Sequence, residues 1–97
     1  MEQADLEVLT VAADDRKRAY LAAKGVDFAD VVEVFQHRPR FYRSTNERGE
    51  RFAILGPNLA GRFLLTAVAE TEIPGEWRVI TAYWLAERRA RRYYGAT

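Results

Sequence analysis

The spacing of apolar residues changes along the chain from the two-residue period of strands to the longer period of helices. A short β-prone run at residues 6–11 precedes a segment of helix-forming composition at residues 12–24. Asp14 or Asp15 can cap that helix, and Gly25 stands where a helix commonly ends. The pattern therefore predicts a strand followed by a first helix.

A second helix is predicted by apolar residues at intervals of three and four. These residues are Phe28, Val31, Val32 and Phe35. A helix would place all four on one buried face. Asp27, with Asp30 three positions later, resembles a capping box at the start of this helix, and Pro39 ends it.

Further β-prone segments follow, and turns rich in glycine and proline separate them. Residues 40–43 look extended and lead through a polar turn to a strand at residues 51–55. Turn residues separate this strand from two more, at residues 62–70 and 77–83. The strands at residues 51–55 and 62–70 are expected to form a hairpin. A helix over residues 85–94 closes the predicted series.

Element order and chain length together indicate the fold class. The predicted order βααβββα is typical of an α+β fold, with an antiparallel meander sheet and helices packed on one face. The other face of the sheet would stay at least partly free. The 97 residues suffice for a single domain, residues 1–97, and no internal repeat or linker divides the sequence.

Arginine dominates the charged surface that this composition predicts. Thirteen of the fifteen basic residues are arginine, and residues 36–97 carry eleven basic against six acidic side chains. The guanidinium group pairs bidentately with phosphate oxygens, which favours RNA or DNA as a ligand. Residues 1–35 carry four basic and eight acidic side chains instead. The alternative is that both sets of charges are simply solvated.

Other compositional features narrow the function classes. The chain has no cysteine and a single histidine, His37, so we expect neither disulfides nor a metal site, and no cofactor. No apolar stretch approaches the length of a membrane span, and the N-terminus lacks the features of a signal peptide. A cytoplasmic protein without membrane contact is the expectation.

Arginines near strand starts are candidate phosphate ligands. Arg51 and Arg78 begin strands that would run in the same direction, so these two could lie near one end of the sheet, whereas Arg62 need not. Strict alternation would place Arg78 and Tyr83 on opposite faces unless a bulge intervenes. Each arginine could instead only protect a sheet edge.

The last helix carries a second group of arginines. On a helical wheel, one arc comprises Arg88, Arg89, Arg91 and Arg92. The opposite side comprises Ala86, Ala90, Tyr93 and Tyr94. We expect this arc either to contact phosphates or an acidic partner, or only to keep an amphipathic helix soluble.

Several short motifs occur in an order that resembles the BrnT family of type II toxins. They lie at residues 24–28, 34–35, 50–52, 56, 61–65, 78–82 and 88–93. The sequence differs from the family where a histidine commonly precedes the glycine of the first motif, because Lys24 stands there. It differs again at Tyr83, where the family usually has an arginine.

The resemblance implies a RelE-like fold and a metal-independent endoribonuclease that a partner antitoxin neutralises. In such a reaction the RNA 2′-OH attacks the adjacent phosphorus, with a base, an acid and charge stabilisation as aids. We assign Arg51 and Arg78 to the phosphate, and Tyr83, Lys24 or His37 to proton transfer. The expected RNA-binding residues are Arg40, Arg62, Arg88 and Arg92.

Partners and alternatives follow from the same resemblance. The antitoxin would be encoded by the adjacent gene, and any oligomer would form through it or as a weak homodimer. A second reading is a catalytically degenerate family member that only binds nucleic acid or antitoxin. A third is a small adaptor domain whose arginines pair with acidic residues of another protein.

Overall fold

The structure is a computed structural model that describes residues 2–3, 10–46 and 49–94. Its helices are α1 Asp15–Ala23, α2 Phe28–His37 and α3 Glu87–Tyr94. Its strands are β1 Glu2–Gln3, β2 Thr10–Ala12, β3 Arg40–Asn46, β4 Gly49–Pro57, β5 Phe63–Glu70 and β6 Glu76–Trp84. Residues 6–9 of the predicted first strand lie outside the described residues, and β2 contains the rest of it.

The strands form one mixed sheet in the order β1-β3-β4-β5-β6-β2. Strands β3 to β6 make an antiparallel meander, and β2 pairs in parallel with β6. The α+β fold class is therefore confirmed. The sequence underestimated the meander, because the segment expected to be only extended at residues 40–43 is part of a full strand, β3.

The first two helices, α1 and α2, begin at the predicted caps. The Asp14 carboxylate accepts a hydrogen bond from the Lys17 backbone N–H at 2.7 Å, and the Asp27 carboxylate accepts one from the Ala29 N–H at 3.2 Å. Gly25 follows α1 with a φ of +81°, a conformation that favours glycine. The carboxylate of Asp30, predicted to complete a capping box, accepts a hydrogen bond from the Asn58 amide instead.

Helices α1 and α2 cover one face of the sheet, which we call the helical face. The core on this side contains Leu21 of α1, Val31 and Val34 of α2, and Ile54 and Leu64 of the sheet. The apolar stripe of α2 is rotated from the predicted one. Val34 is among the most buried residues, whereas Phe28, Val32 and Phe35 pack at the margin of the core.

The third helix lies on the opposite face, which we call the α3 face. Ala90 is fully buried in a second core with Tyr42, Ala53 and Leu65. Ala53 and Ile54 are adjacent in β4 but belong to different cores, so the two cores lie on opposite sides of the sheet. The prediction that all helices pack on one face is therefore wrong for α3. Ala90 of α3 therefore shields part of this face from solvent.

Gly56 of β4 packs closely against the C-terminal end of α2. A Cβ at this position would lie 2.9 Å from the Arg38 carbonyl oxygen and 3.1 Å from Val34 Cγ1. Gly56→Ala should therefore lower the free energy of unfolding by about 1–3 kcal/mol through overpacking. Urea denaturation would measure this loss, and an unchanged transition midpoint would contradict the close packing.

No described helix has the length and apolar content of a membrane span.

Candidate nucleic-acid interface

A bulge in β6 determines which of its side chains share a face. Val79 pairs with Val68 and Thr81 pairs with Ala67, so the intervening Ile80 has no opposite residue in β5. From Val79 to Thr81 β6 spans two residue steps, whereas the paired segment of β5, from Val68 to Ala67, spans one. The alternation of β6 side chains between the two faces is therefore displaced by one residue at this point.

The bulge brings Arg78 and Tyr83 onto the same face of the sheet. Arg78, Thr81 and Tyr83 pair with Ala69, Ala67 and Leu65, respectively. Those three β5 residues are alternate positions of one strand and share a face. Leu65 belongs to the second core, which identifies this face as the α3 face. Strict alternation had predicted opposite faces, and the bulge overturns that expectation.

Arg51 lies on the α3 face as well. It precedes Ala53 of the second core by two residues, and its side chain is exposed. The pairing of Phe52 with Val68 places Arg51 level with Ala69, which pairs with Arg78 on its other side. The backbones of the two arginines are therefore two strand spacings, about 10 Å, apart. Between them lies Ala69, which has a short side chain.

Three other predicted residues do not join this pair. His37 is exposed in the last turn of α2, on the helical face. The Arg62 guanidinium stacks on the Trp84 ring at 4.1 Å, and Trp84 packs against the first core while its Nε1 donates to the Gly25 carbonyl. Arg62 is therefore engaged on the helical side.

Arg40 is half-buried and pairs with Leu55, so it lies on the α3 face but at the end of the sheet opposite to Arg51 and Arg78.

The arginines of α3 point away from the sheet. Ala90 faces the second core, and Arg88 and Arg92, two positions to either side of it, are exposed on the far side of the helix. Arg91 forms a 2.6 Å ion pair with Glu87, but both side chains are largely exposed, so the pair adds little stability. The basic arc predicted for this helix is present. Its members Arg88 and Arg92 face away from the sheet that carries Arg51 and Arg78.

A polar cluster joins α1 to the bulged strand. The Lys24 ammonium donates to Thr81 Oγ1 at 2.8 Å, and the Tyr20 hydroxyl lies 3.2 Å from the same oxygen. The Lys17 ammonium donates at 2.8 Å to the carbonyl of Ile80, the bulge residue. We call Lys17, Tyr20, Lys24 and Thr81 the tyrosine cluster. The pairing of β2 with β6 ends at Arg78, which leaves the edge beyond it to α1.

The cluster changes the acidity of the Tyr20 phenol. Its hydrogen bonds with Thr81 and Lys24, and the positive charges of Lys24 and Lys17, lower the pKa of Tyr20 below its usual value of 10.0. The two ammonium groups lie 4.8 and 5.2 Å from the centre of the Tyr20 ring. These are the only two lysines in the sequence. Because 45% of Tyr20 is exposed, its phenol is accessible to a ligand.

One shallow hollow lies between Arg78 and Lys17 of the tyrosine cluster. Lys17 and Arg78 both line it, together with the acidic side chains of Asp14 and Glu76. Glu76 accepts a hydrogen bond from the Thr71 hydroxyl at 2.9 Å. The candidate interface therefore extends from Arg51 across Ala69 to Arg78, and on to the tyrosine cluster. Its two carboxylates limit where an anion can bind along this path.

Three residues of this interface were not selected from the sequence: Lys17, Tyr20 and Thr81. Lys17, Tyr20 and Lys24 are spaced at three and four residues, a spacing that could have indicated one helix face. Thr81 gave no comparable signal, because its position beside α1 depends on the bulge. Lys24 was selected, and the structure places it in the cluster.

Comparison with known proteins adds no assignment. No family model, no curated protein and no solved structure matches the chain. Within residues 2–3, 10–46 and 49–94, no group of histidine or acidic side chains is arranged to hold a metal ion. Fold and surface thus define a class only: a small α+β domain with arginines on one sheet face and a tyrosine cluster at the sheet edge.

Proposed function

We propose that the chain is a metal-independent endoribonuclease of the type II toxin class, held inactive by a partner antitoxin. One observation carries the proposal: Arg51 and Arg78 share the α3 face, and Arg78 lines one hollow with Lys17 of the tyrosine cluster. Phosphodiester cleavage needs positive charge beside the phosphate and a group for proton transfer. This surface supplies both kinds of group.

The reaction begins with attack of the RNA 2′-oxygen on the adjacent phosphorus. A bond forms between these two atoms, the bond to the 5′-oxygen of the next nucleotide breaks, and a 2′,3′-cyclic phosphate remains. A base accepts the proton of the 2′-OH, and an acid protonates the departing 5′-oxygen. Negative charge increases on the phosphoryl oxygens between these events, where guanidinium groups are most effective.

The residue roles follow from position. Arg78, with Arg51 two strands away, holds the phosphate. Tyr20 accepts the proton of the 2′-OH, because its lowered pKa raises the fraction of phenolate above that of an ordinary tyrosine. Lys24 and Thr81 position the phenol and stabilise its charged form. Tyr83, exposed on the same face, contacts the sugar or base beside the cleaved bond.

The remaining basic residues serve longer contacts. Arg88 and Arg92 project outward from α3 and bind backbone phosphates beyond the cleaved bond, or an acidic segment of the antitoxin. Arg40 extends the α3 face at its other end. Arg62 binds RNA only if the strand passes round to the helical side, where its guanidinium stacks on Trp84.

One observation favours a second function, that of a nucleic-acid-binding or antitoxin-binding module without catalysis. Tyr20, Lys24 and Thr81 hydrogen-bond with one another in the free chain, and His37 lies on the helical face. A cluster that stays closed on itself would bind phosphate and leave the 2′-OH proton in place.

A cleavage assay separates the two functions. Purified chain is incubated with single-stranded RNA in EDTA, and with the same RNA carrying 2′-O-methyl groups. A nuclease should cut the first into fragments that end in 2′,3′-cyclic phosphate, and should bind the second without cutting it. Binding of both without cleavage would favour the module, and binding of neither would contradict both functions. Growth arrest on expression, relieved by the neighbouring reading frame, tests the toxin assignment.

A further inference from the structure

Tyr20 differs from the other described tyrosines in what surrounds its oxygen. Tyr42 is almost fully buried in the second core, and Tyr83 is 38% exposed and lies outside the tyrosine cluster. Tyr20 is more exposed than either, and the ammonium groups of Lys17 in α1 and of Lys24 directly after α1 both lie near its ring. Among residues 10–46 and 49–92, it therefore combines an accessible phenol with a strongly positive setting.

We propose that Tyr20 is a nucleophilic tyrosine and a modification site, which takes a phosphoryl group from a nucleoside triphosphate with the help of a tyrosine kinase. The phenolic oxygen attacks the terminal phosphorus, the bond from that phosphorus to the bridging oxygen breaks, and a nucleoside diphosphate departs. The phenolic proton passes to the kinase base. The product is an aryl phosphate on Tyr20.

The local charges favour both the approach of the donor and the product. Ammonium groups beside an exposed reactive atom raise the local concentration of anions, by about tenfold or more in a focused field. A phosphate ester carries about two negative charges near neutral pH. Lys17 and Lys24 lie close enough to the ring to pair with these charges once their present bonds to Ile80 and Thr81 rearrange.

The modification would also regulate the proposed nuclease, and this part rests on the proposed function. Phosphate on Tyr20 would remove the phenol from proton transfer. It would also cancel the positive charge of the tyrosine cluster beside Arg78, so RNA phosphates would be repelled there. A single covalent change at α1 would therefore switch off the interface.

Reactivity is tested without RNA and without a kinase. The chain is treated with para-fluorosulfonylbenzoate, an anionic electrophile, and in parallel with neutral toluenesulfonyl fluoride. Phenolate attack on sulfur releases fluoride and leaves a sulfonate ester that peptide mapping locates. We expect the anionic reagent to label Tyr20 at least about tenfold faster than Tyr83. The neutral reagent should show a smaller preference.

Variants connect the rate to the lysines. Lys17→Met with Lys24→Met should remove the preference for the anionic reagent at Tyr20 and leave labelling of Tyr83 unchanged, with circular dichroism as the folding check. Equal labelling of Tyr20 and Tyr83 in the unmodified chain would overturn the proposal. So would a preference that survives loss of both lysines.

A second arm adds a tyrosine kinase and ATP, followed by mapping of the phosphate and an RNA cleavage assay. Phosphate on Tyr20 together with loss of RNA cleavage supports both the modification site and its regulation of the nuclease. Phosphate on other tyrosines but not on Tyr20 contradicts the modification site. Phosphate on Tyr20 with undiminished cleavage leaves the modification site standing and contradicts the catalytic role of Tyr20.

Discussion

Arg78→Ala should lower the rate of RNA cleavage by about a hundredfold to a thousandfold, the effect typical of losing one preorganised group that stabilises transition-state charge. Arg78 borders the hollow that leads to the tyrosine cluster, and it lies on the same face as Arg51. Among the paired residues of the described strands, Arg51 is the other arginine level with Arg78, and it lies two strands away. Compensation should therefore be small.

The matched control is Arg43→Ala, which removes the same charge from the other face. Arg43 is exposed and pairs with Phe52, whose ring contacts Trp77 in the first core. We expect cleavage by this variant to stay close to that of the unmodified chain. The measurement is kcat/KM on a short RNA in EDTA, with thermal unfolding to confirm folding. Equal losses in both variants would show a general charge effect, and no loss in Arg78→Ala would refute its role.

Tyr20→Phe should lower the cleavage rate by about a hundredfold to ten-thousandfold, the range for removal of a general acid or base. The substitution removes one oxygen from an exposed side chain and leaves the ring in contact with Lys17 and Lys24. Folding should therefore survive, which circular dichroism can verify.

The pH dependence gives a sharper readout than the rate alone. A base must be deprotonated, so cleavage by the unmodified chain should rise with pH and level off above the folded pKa of Tyr20, which lies below 10.0. Tyr20→Phe should lose this rising limb. Tyr83→Phe serves as the control and should keep it, since Tyr83 has no place in the tyrosine cluster. A limb that disappears in Tyr83→Phe but persists in Tyr20→Phe would reverse the assignment.

The sequence predicted local structure well where the signal was local. The caps at Asp14 and Asp27 and the glycine after α1 lie where expected, because a helix end is set by a few adjacent residues. The side on which α3 packs was not predictable. Its single buried alanine, Ala90, carries little apolar signal, and the choice of face depends on the second core that forms elsewhere in the sheet.

The candidate site was predicted only in part. Arg51 and Arg78 were expected near one end of the sheet from strand direction alone, and the pairing places them level on one face. His37 was selected for its chemistry, but its position at the end of α2 directs it to the helical side. Tyr20 was missed because its significance depends on Thr81, sixty-one positions later. Such a contact has no trace in a local pattern.

The extra residue at position 80 makes this surface depend on strand shape at the present chain length. Three positions separate Arg78 from Thr81, so a regular strand of this length would turn them to opposite sides, and only the bulge keeps them together. Deleting Ile80 would leave Arg78, Thr81 and Tyr83 at alternate positions that match β5 one to one, so all three would keep their side without any bulge. For lineages that descend from this sequence, a one-codon gap here would preserve the shared side, whereas straightening of the strand without a gap would separate the two halves of the site.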